Sequence, residues 1–185
     1  MSRILFLDIE TTGFSRDWNE VLEVAAIVWD DVSNTIVDSF HEYIKPLNSF
    51  PAKITELTGI TKSFVANCRN ERYVLMDFSE WLAMAKPKTI IGHNCKAFDL
   101  GFLARRCEKL GIGWNTNNAT IIDTLALARD LNKRKIISTE NNKQETLAKY
   151  FGVVYNAHSA IEDVKALIQI YYKMLNIENE EDVGF

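Results

Sequence analysis

The stretch Ile4-Leu5-Phe6-Leu7-Asp8-Ile9-Glu10-Thr11-Thr12-Gly13 decides how the rest of the chain is read. Its first four residues are apolar on both alternating faces, the pattern of a central strand covered from two sides. Side chains two apart share a face, which puts Phe6, Asp8 and Glu10 together. Two carboxylates at the end of a buried strand repel each other and lose hydration. A hard divalent cation is the commonest compensation, so the pair predicts a metal-dependent enzyme.

The rest of the composition fits one domain. At 185 residues with 47% hydrophobic and 25% charged side chains, the chain is an ordinary globular sequence with enough length for a full core. No apolar run approaches the roughly 18 residues that would span a bilayer. The N-terminal run is too short for a signal-peptide core and runs into acids. Cys68, Cys95 and Cys107 form no CxxC pair, and an odd number cannot all pair within the chain. They read as reduced thiols of a cytoplasmic protein. The net charge of −4 disfavours a large duplex-binding surface. Four acids gathered in a cation site would account for all of it, so a small grip on one strand end stays compatible.

Along the chain, Val21–Trp29 and Thr35–Lys45 alternate as strands around a turn at Asp30–Asn34. Pro51 opens a short helix ending before Gly59, and a second short helix follows Thr61. Glu71–Lys86 is predicted helical, with Val74, Met76, Phe78, Trp81, Leu82 and Met84 as its apolar face. Lys88–Ile91 is a buried strand, Ala97–Leu110 a helix stopped by Gly111, and Thr120–Ile122 a strand leading into a helix from about Asp123 to Leu131. Lys143–Phe151 and Ala160–Leu175 are the last helices, separated from the earlier ones by a polar loop at Asn132–Asn142. This order predicts an α/β fold: a mixed sheet of three sequential strands, then strands alternating with helices that cover both faces. The domain is expected over residues 1–176, with 177–185 as an acidic tail.

Two further acids sit where acids are unusual. Asp99 shares a helix face with Phe102 and Leu103, and Asp163 shares one with Ala160 and Leu167. Either alone reads equally as a cap or a paired buried carboxylate. Together with the strand pair they favour a shared cation site. Oxygen-only ligands select Mg²⁺ or Mn²⁺ over zinc, and two such ions suit in-line displacement at phosphorus. His158, five residues before Asp163, has the intrinsic pKa of a general base near neutral pH. His41 reads as a polar surface residue.

Phe6-Leu7-Asp8-Ile9-Glu10-Thr11-Thr12-Gly13, Gly92-His93-Asn94…Phe98-Asp99-Leu100-Gly101-Phe102-Leu103 and His158-x4-Asp163 resemble the three motifs of the DEDDh 3′–5′ exonucleases. That superfamily has a ribonuclease-H-like fold and includes the epsilon proofreading subunits. Ile54–Thr61 and Ile122–Leu125 also resemble family segments, and the likeness runs from about Ile4 to Tyr172. The resemblance implies Asp8, Glu10, Asp99 and Asp163 as ligands of two Mg²⁺ or Mn²⁺, with His158 as the base. It implies that Thr11, Thr12, Gly13 and Phe14 cradle a terminal nucleotide, that Phe14 and Leu57 press on its bases, and that Asn94 and Phe98 position its sugar and phosphate. Thr12 also suits a turn closure, Leu57 and Phe98 also suit a core, and Asp123 suits a helix cap better than a supporting role. Three residues, Cys95 to Ala97, separate Asn94 from Phe98, where the polymerase-subunit branch usually has two. The tail carries no recognisable clamp-binding peptide, so a stand-alone nuclease is favoured.

The expected activity is hydrolysis from the 3′ end of single-stranded nucleic acid, DNA favoured, releasing nucleoside 5′-monophosphates. The alternatives are a non-catalytic strand-end binder, a polymerase-docking proofreading subunit with a replication partner, or a nuclease for short or cyclic oligoribonucleotides. A haloacid-dehalogenase-like phosphatase is a weaker rival, because Glu10 stands where its second Asp would be. Lys133-Arg134-Lys135 reads as a solvated charge run before a phosphate grip, and Arg105, Arg106 and Lys109 as an outer helix face. No membrane partner is expected, and oligomeric state is not legible.

Overall fold

A computed structural model describes residues 3–182, with side chains through residue 178. The six strands are β1 (Arg3–Thr11), β2 (Val21–Asp30), β3 (Thr35–Lys45), β4 (Arg69–Asn70), β5 (Thr89–Gly92) and β6 (Thr120–Asp123), ordered β4-β3-β2-β1-β5-β6 in one sheet. β1, β2 and β3 pair antiparallel as a meander, whereas β5 and β6 join β1 in parallel. The helices are α1 (Ala52–Thr58), α2 (Lys62–Val65), α3 (Glu71–Ala85), α4 (Asp99–Leu110), α5 (Thr124–Lys133), α6 (Gln144–Phe151) and α7 (Ala160–Asp182). The mixed sheet with helices on both faces is the one read from the sequence.

Alternation along β1 sorts its residues between two cores. Leu5, Leu7 and Ile9 pack with Val74, Phe78 and Leu82 of α3 and Phe102 and Leu103 of α4. Ile4 and Phe6 pack with Ala160, Val164 and Leu167 of α7 on the other side. A third cluster, around Leu131, Leu147, Ala166 and Ile170, fastens α5 and α6 to α7. β1 is thus the seam at which both layers meet.

Several sequence expectations are corrected by packing. In α3 the buried stripe is Val74, Leu75, Phe78, Leu82 and Ala85, whereas Met76 and Met84 face solvent. The sheet lies against a narrower arc of the helix than its hydrophobic content suggested. Arg106 is buried and ion-pairs with Glu71 and Glu20, so only Arg105 and Lys109 face outward on α4. Helix α7 continues past Leu175 to Asp182, because Ile177 still packs on the third cluster and Glu178 pairs with Arg134. The last residues of the expected tail, 183–185, lie outside the described residues. Among the described residues, no helix is long and apolar enough to cross a membrane.

Candidate active site

The C-terminal end of β1 opens the site. β5 pairs with β1 only from Ile4 to Phe6, so beyond that point β1 has no strand on this side. The turn after β5 fills the space. Gly92 is required there, because a Cβ would meet Cys95 and would lie 3.1 Å from the Leu7 carbonyl. Asp123 caps α5 by accepting from the Leu125 N–H at 3.1 Å. Its two oxygens also accept from the Asn94 and Lys96 N–H groups at 2.9 and 3.2 Å, which fixes the turn. That places Asp99 at the start of α4, where its Oδ1 accepts from the otherwise unpaired Ile9 N–H at 3.2 Å. The acid is buried for a backbone reason as well as a chemical one.

Carboxylate oxygens of Asp8, Glu10 and Asp163 approach within 4.8 Å of one another. Asp8 and Glu10 come from the α7 face of β1, and Asp163 from the first turn of α7. Asp163 is oriented by two donors: Gln144 Nε2 at 3.0 Å and the His158 N–H at 2.9 Å. Asp99 approaches from the α4 side and is buried, whereas Asp8, Glu10 and Asp163 are half-buried. Burial first, then the charges of Asp99, Asp163, Glu10 and Glu23, pushes the Asp8 carboxyl well above its ordinary range. Burial, Asp163 and Glu23 push Glu10 up to about 8. Burial also raises Asp99 to about 7, against the lowering effect of its backbone hydrogen bonds. Asp163 is raised by burial too, with the His158 N–H pulling the other way.

The donor set fits divalent cations. The cluster is oxygen-only, and among the described residues no lysine or arginine ion-pairs with Asp8, Glu10 or Asp163. Glu23 adds a fifth carboxylate. It stands opposite Glu10 in the β1–β2 register, hence on the same face, and is 0% exposed. One of its oxygens, Oε1, lies 2.8 Å from His41 Nε2 and 3.4 Å from the Ser159 hydroxyl. The other, Oε2, is buried with no hydrogen-bond partner. An orphaned acceptor beside three repelling carboxylates is what a hydrated cation would satisfy. His41 is therefore half-buried against Glu23, not the plain surface residue that the sequence suggested.

Asp8, Glu10 and Asp163 floor a cleft of about 720 Å³ whose walls include Leu57, His93, Asn94, Arg129, Lys143, Glu145, Tyr155 and His158. His158 takes a left-handed backbone conformation with φ 68°. Its Nε2 lies 2.8 Å from Glu145 Oε1, and its side chain is 42% exposed. Leu57 and Asn94 line the cleft. Phe98 is half-buried between the rings of Phe14 and Phe102, at 6.3 and 5.5 Å. Thr12 closes the β1–β2 loop, its hydroxyl accepting from the Glu20 N–H at 2.9 Å. The Thr11 hydroxyl donates to the Gly13 carbonyl at 2.7 Å. A Cβ on Gly13 would lie 2.7 Å from Asn19 Oδ1, so that turn is closed to larger residues.

Sequence reading missed Glu23, His93, Arg129, Lys143, Gln144, Glu145 and Tyr155. His93 Nδ1 lies 2.9 Å from the Thr124 hydroxyl, and burial lowers its pKa, so it is a neutral wall of the cleft. The Tyr155 hydroxyl is buried without a hydrogen bond of good geometry, and burial, then the neighbouring Asp163 charge, raises its pKa. Arg129 and Lys143 supply the cleft's cations. Of the Lys133-Arg134-Lys135 run, Arg134 pairs with Asp130 and Glu178.

A ribonuclease-H-like sheet carrying this acid cluster at the end of its central strand defines a nuclease-type domain. The chain belongs to the RNase_T exonuclease family, whose model matches residues 5–171. It is a member of the DEDDh 3′–5′ exonuclease superfamily. It is 36% identical over 179 residues to a PolC-type DNA polymerase III of Caldanaerobacter subterraneus subsp. tengcongensis, covering 96% of this chain and 12% of that protein. To the PolC-type DNA polymerase III of Staphylococcus haemolyticus it is 34% identical over 186 residues, with coverage of 96% and 12%. The chain therefore spans about an eighth of the length of these curated relatives. Among solved structures, E. coli exonuclease I in complex with a dA16 oligonucleotide superposes with a TM-score of 0.81 at 23% identity, covering 95% of this chain and 41% of that one. Cell-death related nuclease 4 superposes with a TM-score of 0.77 at 20% identity, covering 96% and 64%. At these identities the superpositions establish the fold.

Proposed function

We propose that this chain is the catalytic domain of a divalent-metal-dependent exonuclease that hydrolyses single-stranded DNA from its 3′ end. The observation that carries the reading is the convergence of Asp8, Glu10 and Asp163 within 4.8 Å, with Asp99 lodged against the Ile9 N–H beside them. Asp8, Glu10, Asp99 and Asp163 would hold two Mg²⁺ or Mn²⁺ ions, which supply Lewis acidity and neutralise charge at the scissile phosphate. The protein groups do the rest. Leu57 and Asn94 bound the cleft where the terminal nucleotide lies, and Arg129 and Lys143 meet its phosphates. His158, released from Glu145, accepts a proton from the attacking water. Water oxygen bonds to phosphorus, the bond to the neighbouring 3′ oxygen breaks, and the products are a nucleoside 5′-monophosphate and a strand with a new 3′-hydroxyl. DNA is favoured over RNA because the relatives at 34–36% identity are DNA polymerases.

Those relatives also favour a second reading of context, in which the domain edits for a polymerase. One digestion panel tests both: 5′-labelled single-stranded DNA, duplex DNA with a mismatched primer end, RNA and dinucleotides, with Mg²⁺, Mn²⁺ or chelator. Stepwise shortening to 5′-monophosphates, absent in chelator, is expected, fastest on single strands. Preferential trimming of the mismatched primer would favour the editing role. Tight strand binding with no cleavage in either metal would overturn the enzyme assignment.

A further inference from the structure

Four residues beyond Phe14, the β1–β2 loop carries a second large aromatic that no core explains. Trp18 is 83% exposed and Phe14 84% exposed. The loop that displays them is pinned along α4. Phe14 sits against Phe98, just before the helix. The Arg16 guanidinium donates to the Ala97 carbonyl and lies over Gly101, where any Cβ would collide with it. Asp17 accepts from Arg105 at 2.7 Å, and its carbonyl accepts from Lys109. The Lys109 ammonium then lies 5.8 Å from the centre of the Trp18 ring. Contacts therefore step down the helix from residue 98 to residue 109 as the loop runs from 14 to 18.

A helix rises about 1.5 Å per residue, so Phe98 and Lys109, the two points between which the loop is pinned, lie about 16 Å apart along this axis, an upper bound on the step from Phe14 to Trp18. That is about five nucleotides of stacked strand at roughly 3.4 Å each, and fewer if the strand is extended. Holding an indole in water against a cation, with both ends of its loop fastened, leaves a flat apolar face at no further ordering cost to a ligand. The ridge carries Arg16, Arg105 and Lys109 against Asp17 and Glu108, a positive balance in a chain whose net charge is −4. Aromatic faces interleaved with cations are the means by which single strands are gripped without base readout.

We propose that Trp18, backed by Lys109, is a stacking platform for the same strand three to five nucleotides upstream of the cleaved 3′ end. The strand leaves the cleft past Phe14 and follows the loop along α4. The platform rests on the strand-degrading activity proposed above, and sets how substrate length is sensed.

Trp18→Ala is expected to raise KM about fivefold or more for a single-stranded 12-mer, the loss of one stacked base, with the penalty shrinking as the substrate shortens to two nucleotides. The second measurement needs no turnover. In an Asp8→Asn background, binding of oligo-dT quenches indole fluorescence, and adding Trp18→Phe removes most of that quench while keeping the affinity. An equal KM penalty at both lengths, or none at either, overturns the platform. So does an unchanged quench after Trp18→Phe, which would leave the ridge to a protein partner. A chain that binds oligo-dT through Trp18 but never cleaves it would keep the platform and sink the nuclease assignment.

Discussion

On one side of the cleft Asp8 and Glu10 stand on a strand paired to β2 along its whole length, with Asp99 fastened to the same strand through the Ile9 N–H. On the other side His158 stands on residues 152–159, which form neither helix nor strand, and it reaches the floor through one N–H donated to Asp163. The first side stores electrostatic repulsion in a frame that cannot relax, and so demands cations. The second has a partly exposed imidazole, a left-handed backbone and a surface partner in Glu145. Under the proposed function, a fixed ligand cage opposite a movable proton acceptor would let the strand end enter before the chemistry is assembled.

The sharpest way to break this comparison is at the fixed side. Asp8→Asn should lower the cleavage rate by about 10⁴-fold or more, the several kcal/mol of transition-state stabilisation a cation site supplies. It should leave the fold intact and raise the melting temperature of the cation-free protein, because one of the repelling charges is gone. Unchanged activity would show that the cluster is not the reaction centre. On the movable side, His158→Ala should cost on the order of 10²–10⁴-fold in kcat, as for loss of a general base. Glu145→Gln should change kcat less than about fivefold, since an exposed ion pair is worth at most about 1 kcal/mol. A Glu145→Gln loss as large as that of His158→Ala would mean that the pair is a fixed catalytic unit.

A smaller effect follows from the raised carboxylates. Glu10 ordinarily titrates near 4.5 and is pushed up to about 8 in the fold, so between those values the folded chain holds a proton that the unfolded chain has released. The stability linked to that proton is full below about pH 4.5 and is lost as pH rises to about 8. Asp99, raised to about 7, adds to the same trend. Calorimetry should show the cation-free protein melting lower at about pH 8.5 than at about pH 6. Mg²⁺ should raise the melting temperature by at least about 3 °C more at the higher pH, about 1 kcal/mol in a domain of this size. A cation effect independent of pH would argue that these acids do not form the binding site.

How far the sequence could be read depends on whether a signal is local. The acid pair of β1 was legible because strand periodicity puts residues 8 and 10 on one face whatever surrounds them. Pro51, Gly59 and Gly111 marked helix ends because their backbone chemistry acts within one turn. Asp99 and Asp163 were legible as anomalies, acids on stripes that should be apolar. Glu23 was not, since nothing in Val21–Trp29 sets it apart from the outward acids of an alternating strand. Only its register opposite Glu10 makes it the fifth carboxylate of the site. Arg106 failed for the same kind of reason: its partners Glu71 and Glu20 come from other elements. The cleft walls at Arg129, Lys143 and Tyr155 belong to segments joined by the packing of α5 and α6 on α7, which no spacing along the chain reports.

By itself the sequence determined the mixed sheet, the order of its elements and the acids that share one face of β1, because those follow from periodicities of two and 3.6 and from a few residues with special backbone chemistry. The tertiary structure alone decided which acids meet, which histidine is half-buried and neutral in the cleft wall, and which tryptophan is left in water. Charge repulsion, burial and stacking all depend on distances between elements, and those distances come into being only when the layers close on the core.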